Sequence, residues 1–227
     1  MSKRIFITAT NTDIGKTYTT IKLMEAFTSL GLRVGVYKPM ETGVNGLPAD
    51  GILLLKHAQS LNPQLKKLTI NDIVTLSLPL PAAPYVANKG KKVDLTLFDR
   101  ALEKIEGFCD IVLIEGAGGL MVPIDQDLMM IDLPHHFNAV TLLVTHCRLG
   151  CINDTLLSLN LLKNTNAPHL WVSNCRADDD TFSQVSLPYF KNKYDNLYFI
   201  GENNTALAQA LLDKINQENS QENECVI

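Results

Sequence analysis

The sequence predicts a single α/β domain with a mainly parallel β-sheet flanked by helices, and three observations predict it. Short apolar runs alternate with amphipathic runs along nearly the whole 227-residue chain, the pattern of strand–helix–strand units whose crossover helices cover a sheet. The first apolar run, Ile5 to Ile7, passes into a helix through a loop ending Gly15-Lys16-Thr17. A later run, Asp110 to Glu115, is apolar between its acidic ends and is followed by Gly116, Ala117, Gly118 and Gly119, as in a buried parallel strand that delivers a carboxylate and then a glycine-rich turn.

The N-terminal stretch reads as a phosphate-binding loop. Strand, loop and helix occur in the required order, and the helix carries Ile21, Met24, Phe27 and Leu30 at helical spacing. In such a loop the backbone N–H groups of Asp13, Ile14 and Gly15 and the positive helix terminus cradle phosphate oxygens. Lys16 then reaches the terminal phosphates and the Thr17 hydroxyl is a ligand for Mg²⁺. The motif departs from G-x-x-x-x-G-K-[ST] at its first glycine, where the chain has Thr10. The fold expected is therefore P-loop NTPase-like.

Composition narrows the function classes. With 46% hydrophobic and 19% charged residues the chain can bury a full core. A net charge of −4 and a pI near 5.7 argue against a protein that binds nucleic acid by neutralising its backbone. No window reaches the length of a membrane span. The five cysteines, Cys109, Cys147, Cys151, Cys175 and Cys225, show no paired zinc spacing and are expected to be reduced thiols of a cytoplasmic protein.

In chain order, Arg33 to Tyr37 is a second buried strand, and Lys38 and Thr42 follow its carboxyl end, where α/β sheets form their ligand crevice. Asp50 stands near the start of a helix from Ala49 to Leu61, where a carboxylate complements the dipole or binds Mg²⁺. Residues 62–93, punctuated by Pro63, Pro79, Pro81 and Pro84, read as loop with at most a short strand or helix. Asp94 to Phe108 is a helix leading into the Asp110 strand, whose Glu115 is placed to hold Mg²⁺. Ala139 to Thr145 is another core strand. The helix after it starts at Gly150, Cys151, Ile152 and Asn153, whose free N–H groups suit an anion such as a carboxylate. Leu170 to Ser173 is a strand ending at Asn174, whose amide either pairs with a base edge or caps a turn. Thr181 to Lys193 is expected to be helical, Leu197 to Ile200 to be a strand, and Asn203 to Asn216 to be the last helix. The domain is thus expected over residues 1–216, with 217–227 a polar, flexible tail.

Several of these segments together resemble the dethiobiotin synthetase family. They are Thr10-Asn-Thr-Asp-Ile-Gly-Lys-Thr17, Tyr37-Lys38-Pro39 with Thr42-Gly43, Glu115-Gly-Ala-Gly-Gly119, Leu149-Gly-Cys-Ile-Asn153 and Trp171-Val-Ser-Asn174, in register to about residue 175. The resemblance implies an ATP- and Mg²⁺-dependent ligase of biotin synthesis, a homodimer that joins 7,8-diaminopelargonic acid and CO₂ and closes the ureido ring of dethiobiotin. It implies that Lys16 and Lys38 stabilise a carbamate and the γ-phosphate, Lys38 at the place of the family's active-site lysine. Thr17, Asp50 and Glu115 would surround Mg²⁺. Asp13 to Thr17 and Glu115 to Gly118 would line the nucleotide, and Asn174 would contact the purine. Thr12 and Thr42 would touch the diamine or its carbamate. Gly150 to Asn153 would take the substrate carboxylate across the dimer interface.

Two departures from the family pattern stand out. Ala9 replaces a usual glycine, a change expected to be tolerated. Ile200-Gly-Glu-Asn-Asn-Thr205 stands where relatives carry a Gly-x-Ile-Pro segment over the base, which implies weak base discrimination with GTP accepted beside ATP. The alternative reading is a switch ATPase of the ParA or MinD type. That group has an extra signature lysine where this chain has Asn11, and the basic amphipathic C-terminal helix used on membranes is not seen here.

Overall fold

The computed structural model describes residues 3–177 and 179–224. In chain order the elements are β1 (Lys3–Ala9), α1 (Lys16–Ser29), β2 (Val34–Tyr37), β3 (Met40–Thr42), α2 (Ala49–Leu61), α3 (Ile70–Ile73), β4 (Leu76–Leu78), α4 (Pro84–Ala87), α5 (Leu95–Glu106) and β5 (Ile111–Gly119). They continue as α6 (Asp132–His136), β6 (Val140–His146), α7 (Cys151–Asn164), β7 (His169–Asn174), α8 (Phe182–Val185), α9 (Leu187–Lys193) and α10 (Asn204–Glu224). A turn of 3₁₀ helix, Pro63–Lys67, follows α2.

Five strands form one parallel sheet in the order β2-β5-β1-β6-β7. The middle strand explains itself: Ile5, Phe6 and Ile7 are successive and all fully buried, so both faces of β1 are covered, as the unbroken apolar run requires. One core packs Leu23, Met24 and Phe27 of α1, Leu54 of α2, Phe98 and Leu102 of α5 and Leu207 and Leu211 of α10 with the sheet residues. Ile21 and Leu30, expected on the same stripe of α1, are only partly buried against it.

Several expectations are corrected. Thr181 to Lys193 is two helices, α8 and α9, with Pro188 in the first turn of α9. Leu197 to Ile200 is not a strand: it makes a single parallel bridge, Ser173 to Phe199, before the chain turns at Gly201 (φ 95°). The stretch expected to be a tail from residue 217 is helical as far as Glu224. Residues 225–227, Cys225 among them, lie outside the described residues. The proline-rich segment contributes β4, which pairs in parallel with β3 as a separate two-stranded sheet, Met40 beside Leu76 and Thr42 beside Leu78.

The expectation of reduced thiols is also corrected, because Cys147 and Cys175 form a disulfide. Each is the first residue beyond β6 or β7, whose last paired residues are His146 and Asn174. The register of adjacent parallel strands brings their Cα atoms to 4.9 Å although 28 residues separate them in sequence. Cys109 and Cys151 are buried. Among the described residues no helix is long and apolar enough to cross a membrane.

Candidate active site

The carboxyl ends of four strands build the site, as an open α/β sheet dictates. β1 runs into the loop of residues 10–15, which passes through left-handed backbone at Asp13 (φ 59°) and Gly15 (φ 98°) before α1 begins. From the far end of β7, Asn174 Nδ2 donates to the Ile14 carbonyl at 2.8 Å, and the Arg176 guanidinium donates to the Asp13 carbonyl. These two donors strut the loop. A Cβ on Gly15 would fall 2.1 Å from Asn174 Nδ2, in a conformation that side chains rarely adopt. Gly15→Ala is therefore expected to lower the unfolding free energy by about 1–3 kcal/mol. Urea unfolding would measure it, and an unchanged midpoint would show that the Asn174 strut gives way without cost.

The electrostatic centre is a buried pair. Lys38, just beyond β2, donates Nζ to Glu115 Oε1 at 2.6 Å and stands 3.5 Å from Asp50 Oδ2. Glu115, beside Ile7 in the sheet, is fully buried. It also accepts from Thr17 Oγ1 (2.9 Å) and Thr20 Oγ1 (2.7 Å). Burial alone would pull Lys38 down, but Glu115 and then Asp50 outweigh it and hold the ammonium above its ordinary range. Burial would likewise push Glu115 up, but Lys38 and the two threonine hydroxyls hold it below the usual carboxylate range. Among the described residues Lys16 has no carboxylate so close: burial lowers it to about 8, with Glu115 opposing and Lys38 adding to the shift. An arriving polyanion reverses that shift and takes the protonated form.

These groups open on a cavity of about 760 Å³. Of the residues singled out from sequence, Thr12, Asp13, Gly15, Lys16, Thr17, Lys38, Thr42, Asp50, Glu115, Ala117 and Gly118 line it. Others stand apart. Ile14 is buried behind the loop, held by Asn174. The glycines after Glu115 form the end of β5, not a turn. Gly116 faces the core, where a Cβ would meet the Phe6 ring at 2.9 Å and Met130 Sδ at 3.1 Å, so it does not clear space for a ligand. Gly150, Cys151, Ile152 and Asn153 begin α7 outside the cavity. Cys151 is buried among Cys147, Phe182 and Phe190, Ile152 packs on the same cluster, and Asn153 donates to its neighbour Asp154.

Sequence reading missed Thr20, Glu41 and Arg176. Thr20 lies four residues after Lys16 and so on the same helix face, which is the signal that would have found it. Glu41 and Arg176 line the cavity from segments that read as plain loop. The oxygen donors suit a hard cation: the Thr17 hydroxyl touches Glu115, and Asp50 and Glu115 both contact the Lys38 ammonium. Among the described residues no group of three or more His, Cys, Asp and Glu could hold a metal unaided. A cation here would complete its shell with phosphate oxygens and water, as Mg²⁺ does.

Solved structures of similar backbone include the MinD cell division protein of Aquifex aeolicus, with TM-score 0.51, 17% identity and coverage of 96% of this chain and 98% of that one. A putative plasmid partition protein of Borrelia burgdorferi gives TM-score 0.55 at 10% identity, covering 96% and 100%. Cobyrinic acid a,c-diamide synthase of Mycobacterium smegmatis gives 0.52 at 13%, covering 92% and 91%. At such identities the likeness is one of fold, which does not fix function. A family model described as an AAA domain matches residues 3–209. The ATP-dependent dethiobiotin synthetase BioD of Sulfurovum sp. (strain NBC37-1) is 46% identical over 189 residues, 82% of this chain and 89% of the relative. The protein of the same name from Wolinella succinogenes is 37% identical over 217 residues, 94% of this chain and 100% of that one. With its phosphate loop, paired Lys38 and Glu115 and this extent of identity, the chain belongs to the dethiobiotin synthetase family.

Proposed function

We propose that this protein uses ATP to join 7,8-diaminopelargonic acid and CO₂ and close the ureido ring of dethiobiotin. One observation carries the assignment of roles: the Lys38 ammonium lies between Glu115 and Asp50, beside the phosphate loop and in the cavity that Thr42 also lines. One amine of the substrate adds to CO₂ and loses a proton to give a carbamate. A carbamate oxygen attacks the γ-phosphorus and ADP leaves, giving a carbamic–phosphoric anhydride. The second amine attacks the carbonyl carbon, the C–O bond to phosphate breaks, and the ring closes with release of phosphate and a proton.

The chain's part is positioning and charge neutralisation. Lys16 and Lys38 hold the carbamate and γ-phosphate together against their mutual repulsion. Thr12 and Thr42 orient the diamine. Gly15 to Thr17 and Ala117 to Gly118 present backbone to the phosphates, and Asn174 contacts the purine while bracing Ile14. Thr17, Asp50 and Glu115 would hold Mg²⁺, which neutralises the phosphate charge when bound. A homodimer is supported by apolar side chains left in solvent: Leu149 is 83% exposed, and Met121 and Leu157 line a second depression that shares Val122 with the first. In that dimer the Gly150 to Asn153 helix start of one protomer takes the substrate carboxylate in the site of its partner. The segment around Gly201 lacks the proline that closes over the base, and GTP is accepted with ATP.

The test is phosphate release by purified protein with Mg²⁺ and diaminopelargonic acid, bicarbonate, or both. Release that needs both, matched one to one by dethiobiotin, is expected. Hydrolysis indifferent to either would favour a switch ATPase. GTP should compete with ATP for ring closure at similar concentration, and strong exclusion of GTP would refute the weak base discrimination.

A further inference from the structure

Glu41 is a buried carboxylate with no part in the chemistry above, although it lines the same cavity. It lies in β3 between Met40 and Thr42, and its side chain crosses to the start of α2. Oε1 accepts from the Asp50 N–H at 3.1 Å and Oε2 from the Gly51 N–H at 2.9 Å. Helix α2 needs these acceptors, because its flanking residue is Pro48, which has no side-chain oxygen to cap the first turn. Gly51 lets the start of α2 pack closely on the chain around α3, since a Cβ there would stand 2.3 Å from Val74 Cγ2, while Glu41 Oε2 would lie at ordinary contact distance, 3.4 Å.

The consequence concerns Asp50. Its own side chain is half-exposed and, among the described residues, is paired with Lys38 at 3.5 Å, a distance that does not fix its direction. What fixes it is its backbone, and Glu41 holds that backbone. Glu41 also adds negative field at Lys38, although less than Glu115 and Asp50 do. The same three-residue strand carries Thr42, so one short element sets both the diamine-facing hydroxyl and, through Glu41, the metal-facing carboxylate.

We propose that Glu41 is a positioning residue for the Mg²⁺–nucleotide complex, acting through Asp50. The proposal rests on the reading of Thr17, Asp50 and Glu115 as the Mg²⁺ ligands. Loss of an outer partner of this kind commonly weakens metal affinity by about 10–100-fold. Glu41→Ala is expected to raise the Mg²⁺ concentration that half-saturates tight ATP binding by that factor, and Glu41→Gln, which keeps one acceptor oxygen, by less.

The experiment is a calorimetric titration of each variant with ATP at graded Mg²⁺, with thermal unfolding of the same samples. Asp94→Ala serves as the control, because Asp94 caps α5 through the Thr96 N–H (3.0 Å) and is not among the residues that line the cavity. The expected result is a Mg²⁺ shift in both Glu41 variants, with Asp94→Ala losing melting temperature and keeping the wild-type Mg²⁺ dependence. Glu41→Gln that folds and binds ATP with wild-type Mg²⁺ dependence would reduce Glu41 to a helix cap and overturn the proposal. Wild-type protein whose ATP affinity ignores Mg²⁺ would instead overturn the ligand assignment beneath it, so the two failures are told apart by the unmutated control.

Discussion

Lys38→Ala is expected to abolish ring closure while leaving nucleotide bound. The ammonium is the cation that touches Glu115 and faces Asp50 inside the cavity, and it would meet the developing negative charge between carbamate and γ-phosphate. Loss of one such donor typically costs about 10²–10³ in rate, and here the whole charge goes, so dethiobiotin formation should fall by at least about 10³-fold. On the roles proposed above, nucleotide is held chiefly by the loop backbone and Lys16, so its dissociation constant should move by less than about tenfold, a change of about 1.4 kcal/mol. Product assays and calorimetry on one preparation decide the matter. Normal turnover by the variant would sink the assignment of Lys38, whereas loss of ATP binding would show that its role is in nucleotide capture.

Glu115→Ala should produce the largest loss of stability. It strips a nearly buried lysine of its closest carboxylate and leaves the Thr17 and Thr20 hydroxyls without their acceptor. Breaking such a pair from one side costs about 3–5 kcal/mol. The pH dependence identifies the cause. In the wild type, Lys38 is held above its ordinary 10.5, so its contribution is present below that pH and fades as pH rises through the higher folded value. Glu115 is held below 4.5, so its contribution is present above that pH and fades as pH falls through the lower folded value. In the variant the largest influence opposing burial at Lys38 is gone and the weaker pull of Asp50 and Glu41 remains, so the folded value is expected to fall below 10.5. The unfolded chain then binds more protons than the folded one, and stability rises with pH. The gap in melting temperature between variant and wild type should therefore narrow from neutral to alkaline buffer. A gap that stays constant would mean that the loss comes from the hydroxyls or from packing, not from an unpaired ammonium.

The parts of the molecule that were legible in the sequence are those whose residues answer to local rules. Ile5 to Ile7 and Ile111 to Ile114 are unbroken apolar runs, and they became the buried centre of a parallel sheet. Gly15-Lys16-Thr17 is a contiguous signal, Lys38 follows β2, Asp50 opens α2 and Glu115 closes the apolar run Ile111 to Ile114 within β5, so topology alone brings them together. What stayed hidden depends on contacts across the chain. Cys147 and Cys175 are neighbours only through strand register. Glu41 acquires its role by bonding to backbone of another element. The end of α10 was lost for a different reason: past Ile215 the helix has no further apolar residue before Glu224, and periodicity reports only a face that is packed. Leu197 to Ile200 misled in the opposite sense, since a strand-like composition was spent on packing around Trp171 and Phe182 with a single bridge to the sheet.

The strut between β7 and the phosphate loop also orders events in time. A ribosome makes the loop among the first residues of the chain, yet the donors that Ile14 and Asp13 accept from lie 160 and 163 positions later. β1 likewise waits for β5 and β6 to cover its edges. A growing chain therefore carries its earliest functional segment unbraced until nearly four-fifths of its 227 residues have emerged. On the role proposed for this loop, nucleotide competence is expected to come with the arrival of Asn174 and Arg176, not with the translation of Gly15-Lys16-Thr17.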